Sequence, residues 1–142
     1  MELPDEIYTA IENLSEEGNN LCDDENFLAA IEKWNQAFLL LPDPKVDWEA
    51  YTWLSASIGD ALYQLKDFAA AREKFFDALN GPDGRENPFV HYRLGQCEFH
   101  LGNEKGGINH LLQAYMLDGE EIFQAEDDGA MYLQMLSEKQ LT

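Results

Sequence analysis

Basic residues are scarce in this chain, and the scarcity is uneven. Nine lysines and arginines face 28 aspartates and glutamates, a net charge of −19 over 142 residues. Residues 1–32 hold ten acids and no base, and residues 107–142 hold seven acids and only Lys139. The stretch between them, 33–106, has eleven acids and eight bases and is nearly balanced. Two acidic ends repel polyanions, so nucleic acid and anionic membrane are expected not to be partners, whereas a basic protein is attracted. The same charge also keeps a small protein soluble.

Cysteine is nearly missing as well. Cys22 and Cys97 are the only two, and they read as reduced thiols acting as small apolar residues rather than as a disulfide framework. Long apolar runs are lacking. A stretch such as Ala37–Leu41 is far short of the roughly 20 residues a spanning helix needs. The opening MELPDEIYTAIENL is acidic, with no basic cluster ahead of an apolar stretch, so it does not read as a signal peptide, and a cytoplasmic location is the expectation.

Catalytic constellations are also absent from the sequence. His91, His100 and His110 have no metal-ligand spacing with each other or with the cysteines, and no phosphate-binding glycine loop occurs. Glu126-Asp127-Asp128-Gly129 lacks the ligand periodicity of a calcium loop and reads as a solvated helix start. No metal, cofactor or catalytic residue is expected, and the chain is expected not to be an enzyme.

What is present is helical periodicity without strand-type alternation. Ile7, Ile11, Leu14, Gly18 and Leu21 share one face; Phe27, Ile31, Trp34 and Phe38 share another in a helix predicted from about Asp24 to Leu40. Pro42 and Pro44 stop that helix, and Asp47 is predicted to cap a third, reaching about Leu65. A fourth spans Phe68 to Leu79, ended by Asn80–Gly84; Asn87-Pro88 opens a fifth, stopped at Leu101-Gly102-Asn103; a sixth spans Glu104 to Leu117. A short acidic turn, Glu120–Asp128, then leads to a last amphipathic helix around Met131, Leu133, Met135 and Leu136.

The helices pair and the pairs repeat. Ala30-x3-Trp34-x2-Ala37 recurs as Ala71-x3-Phe75-x2-Ala78 and, weakened, as Gly107-x3-Leu111-x2-Ala114, each with a glycine twelve residues upstream of its first small residue: Gly18, Gly59 and Gly95. Glycine on one helix and alanine on the other are expected to meet at a close crossing, with the large residue one turn later filling the gap to the neighbouring pair.

On these residues the chain resembles the tetratricopeptide repeat family over about residues 8–119, most closely in Ile58-Gly59-x2-Leu62 and Leu65-Lys66-Asp67-Phe68-x2-Ala71. Its glycine spacings of 41 and 36 exceed the roughly 34 of the family, with the excess in the loops Pro42–Asp47 and Gly81–Asn87. Gly107 stands where the family has alanine, and Gly119 where it has proline. The resemblance implies one all-α domain over 1–142. Its three helix pairs, about 5–41, 47–80 and 87–118, form a short right-handed superhelix, closed by a capping helix at about 121–139.

The resemblance also implies a concave face built from the first helix of each pair. It would be lined by Ser15, Asn19, Cys22 and Asp23; by Trp53, Ala56, Asp60, Tyr63 and Gln64; and by Phe89, Tyr92, Gln96, Phe99 and His100, with Arg93 at its edge. Tyr63 and Tyr92 are expected to be exposed, because a phenol needs a polar outlet, and Phe89 and Phe99 to be packed. Relatives that clamp an acidic chaperone tail use lysine, asparagine and arginine on these helices. Here Asn19 and Arg93 match two such positions, but Ser15, Ser57 and Phe89 occupy others, so an acidic peptide is not the expected ligand.

The chain is further similar to small stand-alone bacterial repeat proteins that act as immunity partners of polymorphic toxins. The similar segments are Asp47-Trp48-Glu49-Ala50, Ser57–Ala61, Asn87-Pro88-Phe89, Arg93–Cys97 and Gly119–Phe123. This resemblance implies a protein partner, a basic toxin domain, bound and neutralised in the cytosol. The alternative is a chaperone or adaptor holding a client in the groove. The sequence leaves the oligomeric state and the choice of concave or convex face open.

Overall fold

A computed structural model describes residues 2–139 and 141. The described residues form seven α-helices and no strand: α1 (Asp5–Asp23), α2 (Phe27–Leu39), α3 (Glu49–Gln64), α4 (Phe68–Asn80), α5 (Pro88–His100), α6 (Glu104–Asp118) and α7 (Gly129–Glu138). Short 3-10 turns stand at Lys45–Asp47 and Glu121–Gln124. Helices α1 and α2, α3 and α4, and α5 and α6 pack as adjacent pairs, and each pair packs on the next through α2 against α3 and α4 against α5. The fold is all-α and repeat-like.

The repeat is visible in the backbone. The turn inside each pair passes through a left-handed residue at Glu25 (φ 62°), Lys66 (φ 65°) and Gly102 (φ 85°). The amide after each one donates to a carbonyl five residues back, Asn26 to Leu21 at 2.8 Å, Asp67 to Leu62 at 3.0 Å and Asn103 to Glu98 at 2.8 Å. This satisfies carbonyls that a helix end would leave bare. The side chains of Asp67 and Asn103 then cap the second helices, accepting from the amides of Ala70 (3.3 Å) and Gly106 (3.1 Å). Asn87 caps α5 in the same way, accepting from the Phe89 amide at 3.0 Å, with Pro88 at the first helical position.

Two local expectations need correction. Asp47 does not cap α3. It closes the preceding 3-10 turn, and Trp48 holds the cap position without a side-chain bond while its indole donates to the Pro42 carbonyl at 2.8 Å. The glycine–alanine crossing is also arranged differently. A Cβ on Gly18 would strike the Trp34 indole, one on Gly59 would meet the Phe75 ring at 3.0–3.1 Å, and one on Gly95 would strike Leu111. Each glycine therefore seats the large residue of its own pair, rather than leaving that residue to fill the gap to the next. Trp34, Phe75 and Leu111 are buried there, as are Ala30, Ala71 and Ala78 beside them.

Candidate functional site: a groove along the first helices

Helices α1, α3 and α5 line one side of the molecule, and two depressions run along it. The larger, about 1130 Å³, lies between α1 and the start of α3 and is walled by Tyr8, Glu12, Ser15, Glu16, Asn19, Asp47, Glu49 and Trp53. The smaller, about 450 Å³, lies between α3 and the α4–α5 loop and is walled by Thr52, Trp53, Ala56, Asp60, Pro82, Asp83 and Phe89. Trp53, Glu49 and Pro82 line both, so the two form one groove with the Trp53 indole at their junction. Trp53 is 42% exposed and Tyr8 52%. The Thr52 hydroxyl donates to the Pro82 carbonyl at 2.8 Å and fixes the α4–α5 loop against α3.

The groove ends at α5, because the C-terminal segment covers that helix. Arg93, expected at the edge, is buried at 4% exposure. Its Nε donates to Asp60 Oδ1 at 2.8 Å, one Nη donates to Gln96 Oε1 at 2.8 Å and to Glu126 Oε1 at 2.6 Å, and the other donates to Glu126 Oε2 at 2.7 Å. The guanidinium carbon lies 4.4 Å from the Tyr63 ring centre and 5.2 Å from that of Phe89. Burial alone would depress this group, but the hydrogen bonds and charges of Glu126 and Asp60 outweigh it and hold Arg93 protonated. The Arg93 hydrogen bonds in turn hold the Glu126 carboxyl below its ordinary range, against the effect of burial.

Tyr92 and Gln96 are likewise buried, not exposed. The Tyr92 ring meets Phe123 and Tyr132 edge-on at 5.3 and 6.3 Å, and its hydroxyl has no hydrogen-bond partner among the described residues. Burial and the nearby Glu126 charge push that phenol up to about 12, so it stays neutral. Phe99 packs on Tyr132 and Phe89 on Phe75, as expected of both. Tyr63 is only half-buried, but Arg93 and Phe68 face its ring. Burial raises its phenol strongly.

The predicted groove residues thus divide. Asn19, Trp53 and Asp60 come together along the open groove. Tyr63, Tyr92, Arg93 and Gln96 form a closed cluster with Glu126. Asp23, Gln64 and His100 sit at the far ends of the first helices and line neither depression. His100 stacks flat on Phe68 at 3.9 Å.

Several groove residues were not foreseen. Tyr8, Glu12, Glu16 and Glu49 line it, and their signal was the i, i+4, i+8 spacing of Tyr8, Glu12 and Glu16 on α1. Glu126, read as part of a solvated helix start, instead pairs with Arg93. The signal there was that Arg93 is the one lysine or arginine on the three first helices.

Elsewhere, His91 and His110 do come together, Nδ1 to Nδ1 at 3.3 Å, with His91 Nε2 2.8 Å from the Arg85 carbonyl. Among the described residues no group of three or more His, Cys, Asp or Glu side chains is placed to hold a metal ion, and no helix is long and apolar enough to cross a membrane. Cys22 and Cys97 are free thiols. No protein-family model matches this chain, and no curated protein matches it.

Proposed function

We propose that this chain is a protein-binding module of the tetratricopeptide type, acting as an immunity protein that binds a toxin domain and occludes it. The observation that carries the binding role is Trp53, a large aromatic left 42% exposed where the two depressions of the groove meet among carboxylates and amides. Aromatic anchors with polar rims are the usual energetic centre of a protein interface. The immunity role rests on the sequence resemblance and on the acidic charge, which speeds encounter with a basic partner.

Co-expression with toxin domains taken from the genes neighbouring that of this chain tests the reading. Wild type should protect the host cell, and Trp53→Ala should lower affinity by about 2 kcal/mol or more while the protein stays folded. Failure of wild type to bind any of these domains would end the immunity reading. A second reading, an adaptor for an extended client segment, is favoured by the two depressions that adjoin at Trp53 from α1 to the α4–α5 loop. Calorimetry separates the two: an adaptor holds its client at about micromolar affinity, an immunity protein at about nanomolar or tighter.

A further inference from the structure

We propose that the open groove between α1 and α3 is a docking site for a lysine- and arginine-rich extended segment of the partner, with a cationic side chain seated on Trp53. The inference rests on the protein-binding reading and names the chemistry of what is bound. Carboxylates crowd the groove: Glu12, Glu16, Asp47 and Glu49 around the larger depression, Asp60 and Asp83 around the smaller, while no lysine or arginine lines either one. Among the described residues, Asp60 alone of these six has an ion-pair partner, and Arg93 takes only its Oδ1. Like charges around a low-dielectric wall focus a negative potential into the groove and are relieved by an incoming cation.

Charge is not the only pointer. The Ser15 side chain lies on the groove wall, buried, and its hydroxyl has no hydrogen-bond partner among the described residues. A buried hydroxyl without a partner is costly, and this one belongs to a residue that borders the groove. The side chains of Asn13 and Asn19 line the same wall and can bond a peptide backbone. Trp53 and Tyr8 offer exposed rings for a cation and for the apolar stem that carries it.

The molecule already solves the same problem once, internally. One step along the row of first helices, Arg93 lies over Tyr63 and Phe89 between the carboxylates of Asp60 and Glu126. The groove repeats that pairing of ring and carboxylate around Trp53, without a guanidinium of its own. A partner's arginine or lysine completes it.

Fluorescence anisotropy with a labelled peptide of alternating lysine, arginine and serine tests the proposal at about physiological ionic strength, where the screening length is about 8 Å. The comparison uses a peptide with glutamate in place of the basic residues, and free spermine. Wild type should bind the basic peptide and not the acidic one. The groove variant Glu12→Lys with Glu16→Lys should weaken binding at least about tenfold, and Trp53→Ala should weaken it by a similar factor. Glu32→Lys with Glu73→Lys makes the same charge change on the exposed faces of α2 and α4, and should cost less than about threefold.

Equal loss in the α2/α4 variant, binding of the acidic peptide, or full competition by spermine at equal charge would overturn the proposal, as would unchanged binding by folded Trp53→Ala. The toxin domain, run as a separate arm, keeps the two readings apart. If it binds wild type and the groove variant equally, the groove proposal fails and the immunity reading stands. If it binds neither while the basic peptide binds in the groove, the immunity reading fails and the groove proposal stands.

Discussion

The first two helix pairs and the third present corresponding faces, and the two halves end in opposite states. On α1 and α3 that face is open: Asn19 and Trp53 are exposed, and Asp60 keeps about a third of its side-chain surface. On α5 the corresponding residues Tyr92, Arg93 and Gln96 are buried as completely as core leucines. Helix α5 is more aromatic and far less acidic than α1, and its cover comes from the segment after α6, which brings Phe123, Glu126 and Tyr132 onto it. An aromatic or polar residue on a groove face is therefore a binding residue or a core residue according to whether the same chain supplies its complement. A buried arginine needs a carboxylate and a buried tyrosine needs packing partners, and here one segment provides both.

The contrast can be broken from the closed side. The largest effect is expected from Phe123→Ala, which removes a ring 1% exposed and should cost about 3–5 kcal/mol. Thermal melts would measure the loss, and the basic peptide should still bind at the α1–α3 groove. Next comes Arg93→Ala. It strands two carboxylates that are each about a third exposed, so the loss should sit near about 3 kcal/mol, the lower end for breaking a buried pair. A double-mutant cycle with Glu126→Gln should show coupling well above that of an exposed pair.

Ala71→Leu overpacks the buried contact between α4 and its neighbours and should cost about 1–3 kcal/mol. An unchanged melting temperature would contradict the packing described here.

Acid titration sharpens the comparison further, because two groups act in separate windows. Burial, with the His91 charge behind it and Glu98 opposing, lowers the pKa of His110 in the folded protein. The unfolded imidazole thus takes up a proton first, and stability falls as pH drops below about 6.5. Glu126 is held low by Arg93, so its contribution is present above about 4.5 and is lost as pH falls through its depressed value. Melts of His110→Gln and Glu126→Gln against pH should remove the upper and lower steps respectively. A smaller stability effect, about 1–2 kcal/mol, should follow Trp53→Ala, because the indole is 42% exposed and only part of its apolar surface is buried, although the same change removes most of the binding.

Much of the fold was legible in the sequence, because the small-and-large pattern repeats with its glycines and the loops carry proline and asparagine. The second to sixth helices begin and end within a few residues of their predicted bounds, whereas the capping helix expected at about 121–139 starts only at Gly129, because 121–124 forms a separate 3-10 turn. One recurrence went unread: Asn26, Asp67 and Asn103 each follow the left-handed residue of a turn, at the same 41 and 36 spacing as the glycines. The direction of packing was not legible, since a glycine seats an alanine or an indole equally well by composition. The candidate site was half legible. Trp53, Asp60 and Asn19 follow from the geometry that the family resemblance implies, but the burial of Tyr92, Arg93 and Gln96 depends on a segment some 30 residues later that has its own weak periodicity. A lone arginine among acidic first helices was the one local hint that a partner carboxylate had to come from elsewhere in the chain.

The Arg93 cluster has a consequence for how such a molecule changes over generations. Asp60, Arg93 and Glu126 lie 33 residues apart in either direction along the chain and share one guanidinium, so replacing any one of them alone leaves the others mismatched. These positions should vary together or hardly at all. Glu12, Glu16 and Trp53 are bound to no such common centre, and each can be exchanged singly without disturbing the helix crossings. Drift is thereby confined to the open-groove half of the molecule, and under the docking role proposed for it a lineage can retune recognition one residue at a time while the framework stays fixed.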